Sequence, residues 1–314
     1  MFDILTILSL AVAVFMGFSI GSSAVPPSFG PVRSSGSIGV LKSALIAGIA
    51  AAIGALMQGE NVATRIGTGI VPSGFTNLQA IIILFVASLL VVISVCTNYP
   101  MPTAFTVIGS VIGTALGFGS TINLSSLAVV VGYWLSIPLL AIILGFGFSK
   151  LMVRMFDESD KRLMRSLTFV MGVFVAYNAG ANSVGKAIGP VSGLGISNNF
   201  LIILGSLSIL LGALILSPRI VEAVSFEYSN IGPRKSVAGL GTAAILAQIG
   251  VILGIPISFN QAIIASIIGS GMVSGDSEIG DRKIIFTAMA WISAFFVAIL
   301  LTYILSTLIN IITV

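Results

Sequence analysis

The chain has 314 residues, 57% of them hydrophobic and only 8% charged, with a net charge of +4. Soluble domains carry about 25% charged residues, so this chain lacks the charge to cover a water-facing surface. Soluble enzymes, nucleic-acid-binding modules and disordered segments are excluded as classes.

The apolar runs are long and unbroken, where a β-barrel would alternate over about 10 residues. The expected fold class is therefore an all-α polytopic membrane protein. In chain order, spans are expected over 3–24, 38–58, 78–97, 103–119 and 124–149. Met1 to Leu10 carries no basic n-region, so the first run is expected to stay as a membrane helix. Pro138 is expected to kink the fifth span. The most polar stretch, Lys150 to Arg165, follows as a cytoplasmic linker (150–162) at the midpoint. Spans are then expected over 163–180, 198–217, 236–254, 258–274 and 284–313. The last run, about 30 residues or about 45 Å as helix, must tilt, bend or extend past the bilayer. One cysteine, Cys96, and no histidine remove disulfide frameworks, thiol–metal sites and histidine relays.

The halves resemble each other. Gly-Ala-Leu at 54–56 recurs at 212–214, Gly21–Pro31 matches Gly180–Pro190, and Pro100–Gly113 matches Pro256–Gly269, at offsets of 158, 159 and 156. This reads as an internal duplication, residues 1–149 and 163–314. Five spans per copy is an odd number, so the second copy enters the membrane from the opposite side, giving inverted repeats. Charge tests this separately: with both termini outside, 12 of the 14 Lys and Arg fall on the inner side, and Arg65 and Lys186 fall on the outer side.

Two segments interrupt the apolar pattern at matched places, Gly17–Pro31 and Asn178–Pro190, each mixing Gly and Pro with small hydroxyl or amide side chains. Broken helices are tolerated at membrane depth only where protein or a water-filled cavity surrounds them. Matched interruptions point to a transporter's central site, and exposed N–H groups at half-helix starts bind anions. Ordinary small-residue helix packing is the competing reading. A second matched pair, Pro100–Thr106 and Pro256–Gln261, puts Thr103, Thr106, Ser258 and Asn260 at helix starts, as caps or as anion ligands.

These residues carry a family resemblance. Gly17-Phe18-Ser19-Ile20-Gly21-Ser22-Ser23-Ala24-Val25 resembles the G-F-N-D-G-A-N-A-V signature of the inorganic phosphate transporter (PiT) family. Val62-Ala63-Thr64-Arg65-Ile66-Gly67-Thr68-Gly69-Ile70 is similar to its V-A-x-T-I-G-x-G-I stretch. Gly180-Ala181-Asn182-Ser183-Val184-Gly185-Lys186-Ala187-Ile188-Gly189-Pro190 resembles G-A-N-D-V-A-N-A-I-G-P, and 254–261 resembles G-L-P-V-S-T-T-H. The departures are specific. Ile20 and Ser183 stand where the family has aspartates, Ser19, Ser23 and Lys186 where it has asparagines, and Gln261 where it has histidine. Lacking those acids, and with Glu60 in Gln58-Gly-Glu-Asn61, the chain is more similar to the sulfate permease branch. The resemblance implies inverted-repeat transport and a homodimer; it does not carry sodium coupling over.

The predicted spans hold no acid near their middle; Asp3, Glu60 and Glu222 lie at ends. A dianion would be compensated by helix N-termini and a cation, with Lys186 the candidate and Arg33 a second. Snorkelling to the headgroups is the competing reading for Lys186. Pairing with Arg65 at the surface competes with a coupling role for Glu60. The expected substrate site is Ser22, Ser23, Asn182, Ser183, Lys186, Thr103, Ser258 and Asn260, with Glu60 and Gln261 as coupling candidates. A site of donors alone favours fully ionised sulfate, whereas an acid acceptor would select protonated phosphate. The expectation is a plasma-membrane permease moving a tetrahedral oxyanion by alternating access. Its partners are the oxyanion and the bilayer, with no nucleic acid, no cofactor, and the coupling ion, H+ or Na+, left open. A phosphate symporter and an anion channel are the alternatives.

Overall fold

The computed structural model describes residues 3–34, 38–96, 102–157, 160–216, 232–274 and 281–313. Its helices run α1 Ile4–Ala24, α2 Gly30–Ser34, α3 Val40–Gln58, α4 Glu60–Thr64, α5 Asn77–Cys96, α6 Thr103–Gly117 and α7 Leu124–Met155. They continue with α8 Lys161–Ile188, α9 Asn198–Ile215, α10 Pro233–Ile252, α11 Phe259–Gly271 and α12 Asp281–Thr313. Side chains start several of them. Asp3 accepts the Thr6 N–H at 2.7 Å, Asn123 accepts the Ser126 N–H at 3.1 Å, and Ser258 accepts the Gln261 N–H at 3.3 Å, each closing an orphan donor of the first turn. The helix α7 continues through Pro138.

Each expected span has a helix in its place, but two are corrected in kind. Among the described residues eight helices are long and apolar enough to cross a membrane. The other two, α6 with 15 residues and α11 with 13, reach only about 22 and 20 Å, short of the roughly 30 Å hydrocarbon core. The breaks are corrected as well. Residues 178–188, expected to be unwound, are helical, and α8 runs 28 residues without interruption before a 3-10 turn at Gly189–Val191. The first break is likewise confined to the 3-10 turn Pro26–Phe29, after a helix that includes Ser22 and Ser23. Backbone groups without water must bond within the chain, so Gly- and Ser-rich stretches stay helical until proline removes the donor.

Small residues decide the packing. Helix α1 lies on α9 and α3 on α8, while α6 lies on α12 and α11 on α7. A Cβ on Gly21 would overlap the Ile209 carbonyl, and one on Gly180 would overlap the Ala51 carbonyl. The same exchange holds for Gly212 on Phe18 with Gly54 on Tyr177, and for Gly113 on Ile299 with Gly269 on Ile142. These crossings are the glycine-mediated close approaches that membrane helices use in place of a hydrophobic driving force. Each contact has a counterpart displaced by 156 to 159 residues, the offsets of the sequence matches.

Polarity is inside out. Leu135, Ile143 and Phe296 are 70%, 65% and 61% exposed, whereas Ser22, Asn182, Ser183 and Lys186 are completely buried. Such a surface is at home only in apolar surroundings.

Candidate functional site

The polar centre is built on the last two turns of α8. Asn182 and Lys186 are four residues apart and therefore share a helix face. Both are directed at a non-helical strip, residues 253–258, that joins α10 to α11. Entry to this strip depends on Gly254, whose φ of +66° ends α10 in the left-handed conformation, with Ile255 N–H bonded back to the Gly250 carbonyl at 2.8 Å. A Cβ at Gly254 would also press on the Asn61 carbonyl.

Non-helical backbone in a dry interior must find side-chain partners, and here three successive carbonyls do. Asn182 Nδ2 donates to Ile255 O at 2.8 Å while its Oδ1 accepts the Ile257 N–H at 3.2 Å. Trp134 Nε1, on α7, donates to Pro256 O at 2.8 Å. Lys186 Nζ donates to Ile257 O at 3.4 Å and to Thr103 Oγ1, the first residue of α6, at 3.0 Å. One ammonium thus joins three parts of the chain: α8, the start of α6 and the approach to α11. Snorkelling is ruled out for this geometry, because Lys186 is 0% exposed.

The other expected site residues distribute as follows. Thr103 and Ser258 are buried at the starts of α6 and α11; Thr103 accepts from Lys186, and Ser258 caps α11. Asn260 is buried in the first turn of α11. Ser183 Oγ is buried without a partner among the described residues, beside Asn182 in the chain. Ser22 and Ser23 donate to the Ser19 and Ile20 carbonyls of their own helix, at 2.7 and 3.4 Å, and do not bond to Lys186 or Asn182. The 3-10 turn that follows them does pack on both α8 and α11. Gln261 Nε2 fastens α11 to the Trp134 carbonyl at 3.2 Å. Glu60 is exposed and lines a separate half-open groove of about 150 Å³ with Thr64, Thr68, Ser192 and Asn198. The two coupling candidates do not meet.

Arg65 corrects the sequence reading most. Rather than turning to Glu60, its guanidinium donates to Gly254 O (Nε, 3.1 Å), Leu253 O (Nη2, 3.1 Å) and Ser126 Oγ (Nη1, 3.2 Å). A cation on the two carbonyls that follow α10 complements that helix terminus and anchors the strip from its outer end. Trp134 was also missed. An indole N–H inside an apolar span needs a partner, and that requirement was the available signal. Its ring stacks on Phe105 at 4.1 Å and meets Phe295 edge-on at 5.9 Å, closing the aromatic side of the centre.

A multi-pass helical bundle, apolar outside, whose closed centre gathers one ammonium with amide and hydroxyl groups, has the construction of a membrane transporter. The chain belongs to the phosphate transporter family, whose sequence model matches residues 20–163 and 152–302. It is 26% identical to the sulfate permease CysP of Bacillus subtilis over 94% of this chain and 86% of that one. A Haemophilus influenzae protein named "Putative phosphate permease" is 23% identical, over 94% of this chain and 95% of its own. A solved structure, the sodium-dependent phosphate transporter, superposes with a TM-score of 0.84 over 99% of both chains at 18% identity, a likeness of fold.

Proposed function

We propose that this protein is a secondary transporter of a tetrahedral inorganic oxyanion, with sulfate the favoured substrate. The carrying observation is the buried set of Lys186, Asn182 and Thr103 against residues 255–257, which holds a cation and amide and hydroxyl groups but, among the described residues, no carboxylate. A dianion buried there finds a compensating charge and N–H and O–H donors, while no carboxylate among the described residues stands ready as a strong acceptor for the proton that distinguishes hydrogen phosphate from sulfate. Ser22, Ser23, Ser183, Ser258 and Asn260 complete the proposed site, and Ser183 is the hydroxyl already buried and unpartnered among the described residues.

The reciprocal glycine contacts support two inverted repeats, 1–149 and 163–314, arranged about this centre, and transport is assigned to alternating access around it. The short helices α6 and α11 start at it, one from each repeat. Both termini are placed outside the plasma membrane on the charge distribution, and a homodimer follows from the resemblance alone. A phosphate symporter is the second reading, favoured by the phosphate permease names among the relatives.

Uptake of radiolabelled sulfate into proteoliposomes tests the choice. Sulfate accumulation is expected, inhibited weakly by phosphate, with half-inhibition at a concentration at least about tenfold higher than for unlabelled sulfate, or about 1.4 kcal/mol of discrimination. Phosphate uptake that excess sulfate leaves undisturbed ends the sulfate reading.

A further inference from the structure

We infer that Lys186 is a built-in substitute for a co-transported metal cation, so that oxyanion transport by this chain does not require sodium. The inference rests on the oxyanion-transporter reading above and deepens it by assigning the counter-charge.

The partners of Nζ are the kind a hard cation takes. Unwound backbone carbonyls and hydroxyl oxygens coordinate alkali ions at the centre of transporters. Here the carbonyl of Ile257 and the hydroxyl of Thr103, 154 positions apart in sequence, converge on one point, and the ammonium of Lys186 occupies it. A second cation beside it would meet like-charge repulsion in a dry interior. Glu60, on α4 packed against α8, is the acid of the neighbouring segments, and it is exposed in its separate groove. The sequence has no Asp or Glu in 61–156, 161–221 or 228–275. Among the described residues no cluster of three His, Cys, Asp or Glu forms a metal site.

An ammonium has three donors. Two are engaged, and among the described residues no third partner bonds to Nζ, although Lys186 is completely buried. A fully buried charge with an unused donor and no carboxylate to balance it is costly, and an oxyanion supplies both the acceptor and the missing charge. Position 186 therefore carries on the chain what a metal ion would bring from solution. Because the ammonium bridges α8, α6 and the strip before α11, it also supplies the contact between moving parts that a bound ion would otherwise make.

The experiment compares sulfate uptake and sulfate binding with sodium, and with sodium replaced by N-methylglucamine at constant pH and ionic strength. For the native protein the initial rate and affinity are expected to change by less than about twofold. Lys186→Asn is expected to weaken sulfate binding by at least about tenfold, the penalty for leaving a buried charge unpaired. Lys186→Arg, which keeps the charge, should retain more of it. If Lys186→Asn does not yield monodisperse protein, the native sodium comparison and Lys186→Arg still decide. A native rate that falls tenfold or more without sodium overturns the inference while leaving the transporter reading standing. So does undiminished sulfate affinity in Lys186→Asn. Absence of sulfate binding with or without sodium overturns both.

Discussion

Asn182→Asp is expected to give a folded protein that does not transport. The carboxylate keeps the acceptor for the Ile257 N–H, held at 3.2 Å by the native amide, but turns an acceptor oxygen toward Ile255 O in place of the donor. One turn away stands the ammonium of Lys186, on the same face of α8. The introduced carboxylate would satisfy that ammonium permanently and place a negative charge where the oxyanion must sit. An uncompensated buried charge costs about 3–5 kcal/mol, so sulfate affinity should fall by at least about 100-fold. Asn182→Leu separates packing from charge. It leaves both Ile255 O and Ile257 N–H unpaired in a buried interior, about 1–3 kcal/mol each, and should lower thermal stability more than the aspartate, which leaves Ile255 O alone unpaired and gains Lys186 as a partner. Binding calorimetry and thermal unfolding of the two purified variants check the pair of outcomes. Native-like sulfate binding by Asn182→Asp would contradict the placement of the anion beside Lys186.

Arg65→Leu carries the second large effect. Three hydrogen bonds hold the guanidinium to Leu253, Gly254 and Ser126, at the outer end of the strip whose inner end Asn182 and Lys186 hold. Charged hydrogen bonds contribute about 1.5–3 kcal/mol each. Arg65 is partly exposed, and water partly replaces what is lost, so a net destabilisation of about 2 kcal/mol is expected. With the strip loosened, maximal uptake should drop several-fold while sulfate affinity, set by residues Arg65 does not touch, changes little. Arg65→Lys restores the charge but not the fork that reaches two carbonyls, and should recover only part of the rate. Thermal unfolding and concentration-dependent uptake read these separately. A loss confined to affinity would place Arg65 in the binding site instead.

The arrangement of helices was legible because it rests on composition and on spacing. Gly54 and Gly212, noticed as parts of a repeated tripeptide, each receive a partner's backbone at counterpart crossings. The short helices were read as full spans, since 103–119 and 258–274 carry no charged residue and nothing local marks where a helix starts below the surface. The unwinding expected at 178–190 failed for an energetic reason. Small residues weaken a helix by about 1 kcal/mol per glycine in water, but an apolar interior penalises each broken backbone bond by more. At the site, Asn182 and Lys186 were found because they lie in the second of two matched interruptions and in the segment that carries the family resemblance. Their partners were not, because Ile255, Ile257 and Thr103 are brought together only by the tertiary fold. Arg65 was misassigned for the same reason: Glu60 is five residues away, whereas Gly254 lies 189 away.

The central claim is that an oxyanion rests between the end of α8 and the strip before α11. Selenate matches sulfate in shape and charge and scatters anomalously, so a structure of the protein with selenate locates the anion directly. The expected result is a selenium peak about 4 Å from Lys186 Nζ, with an oxygen within the roughly 3 Å of a hydrogen bond and Asn182 alongside. A peak only in the Glu60 groove, with Lys186 still bonded to Thr103 and Ile257 alone, would contradict it.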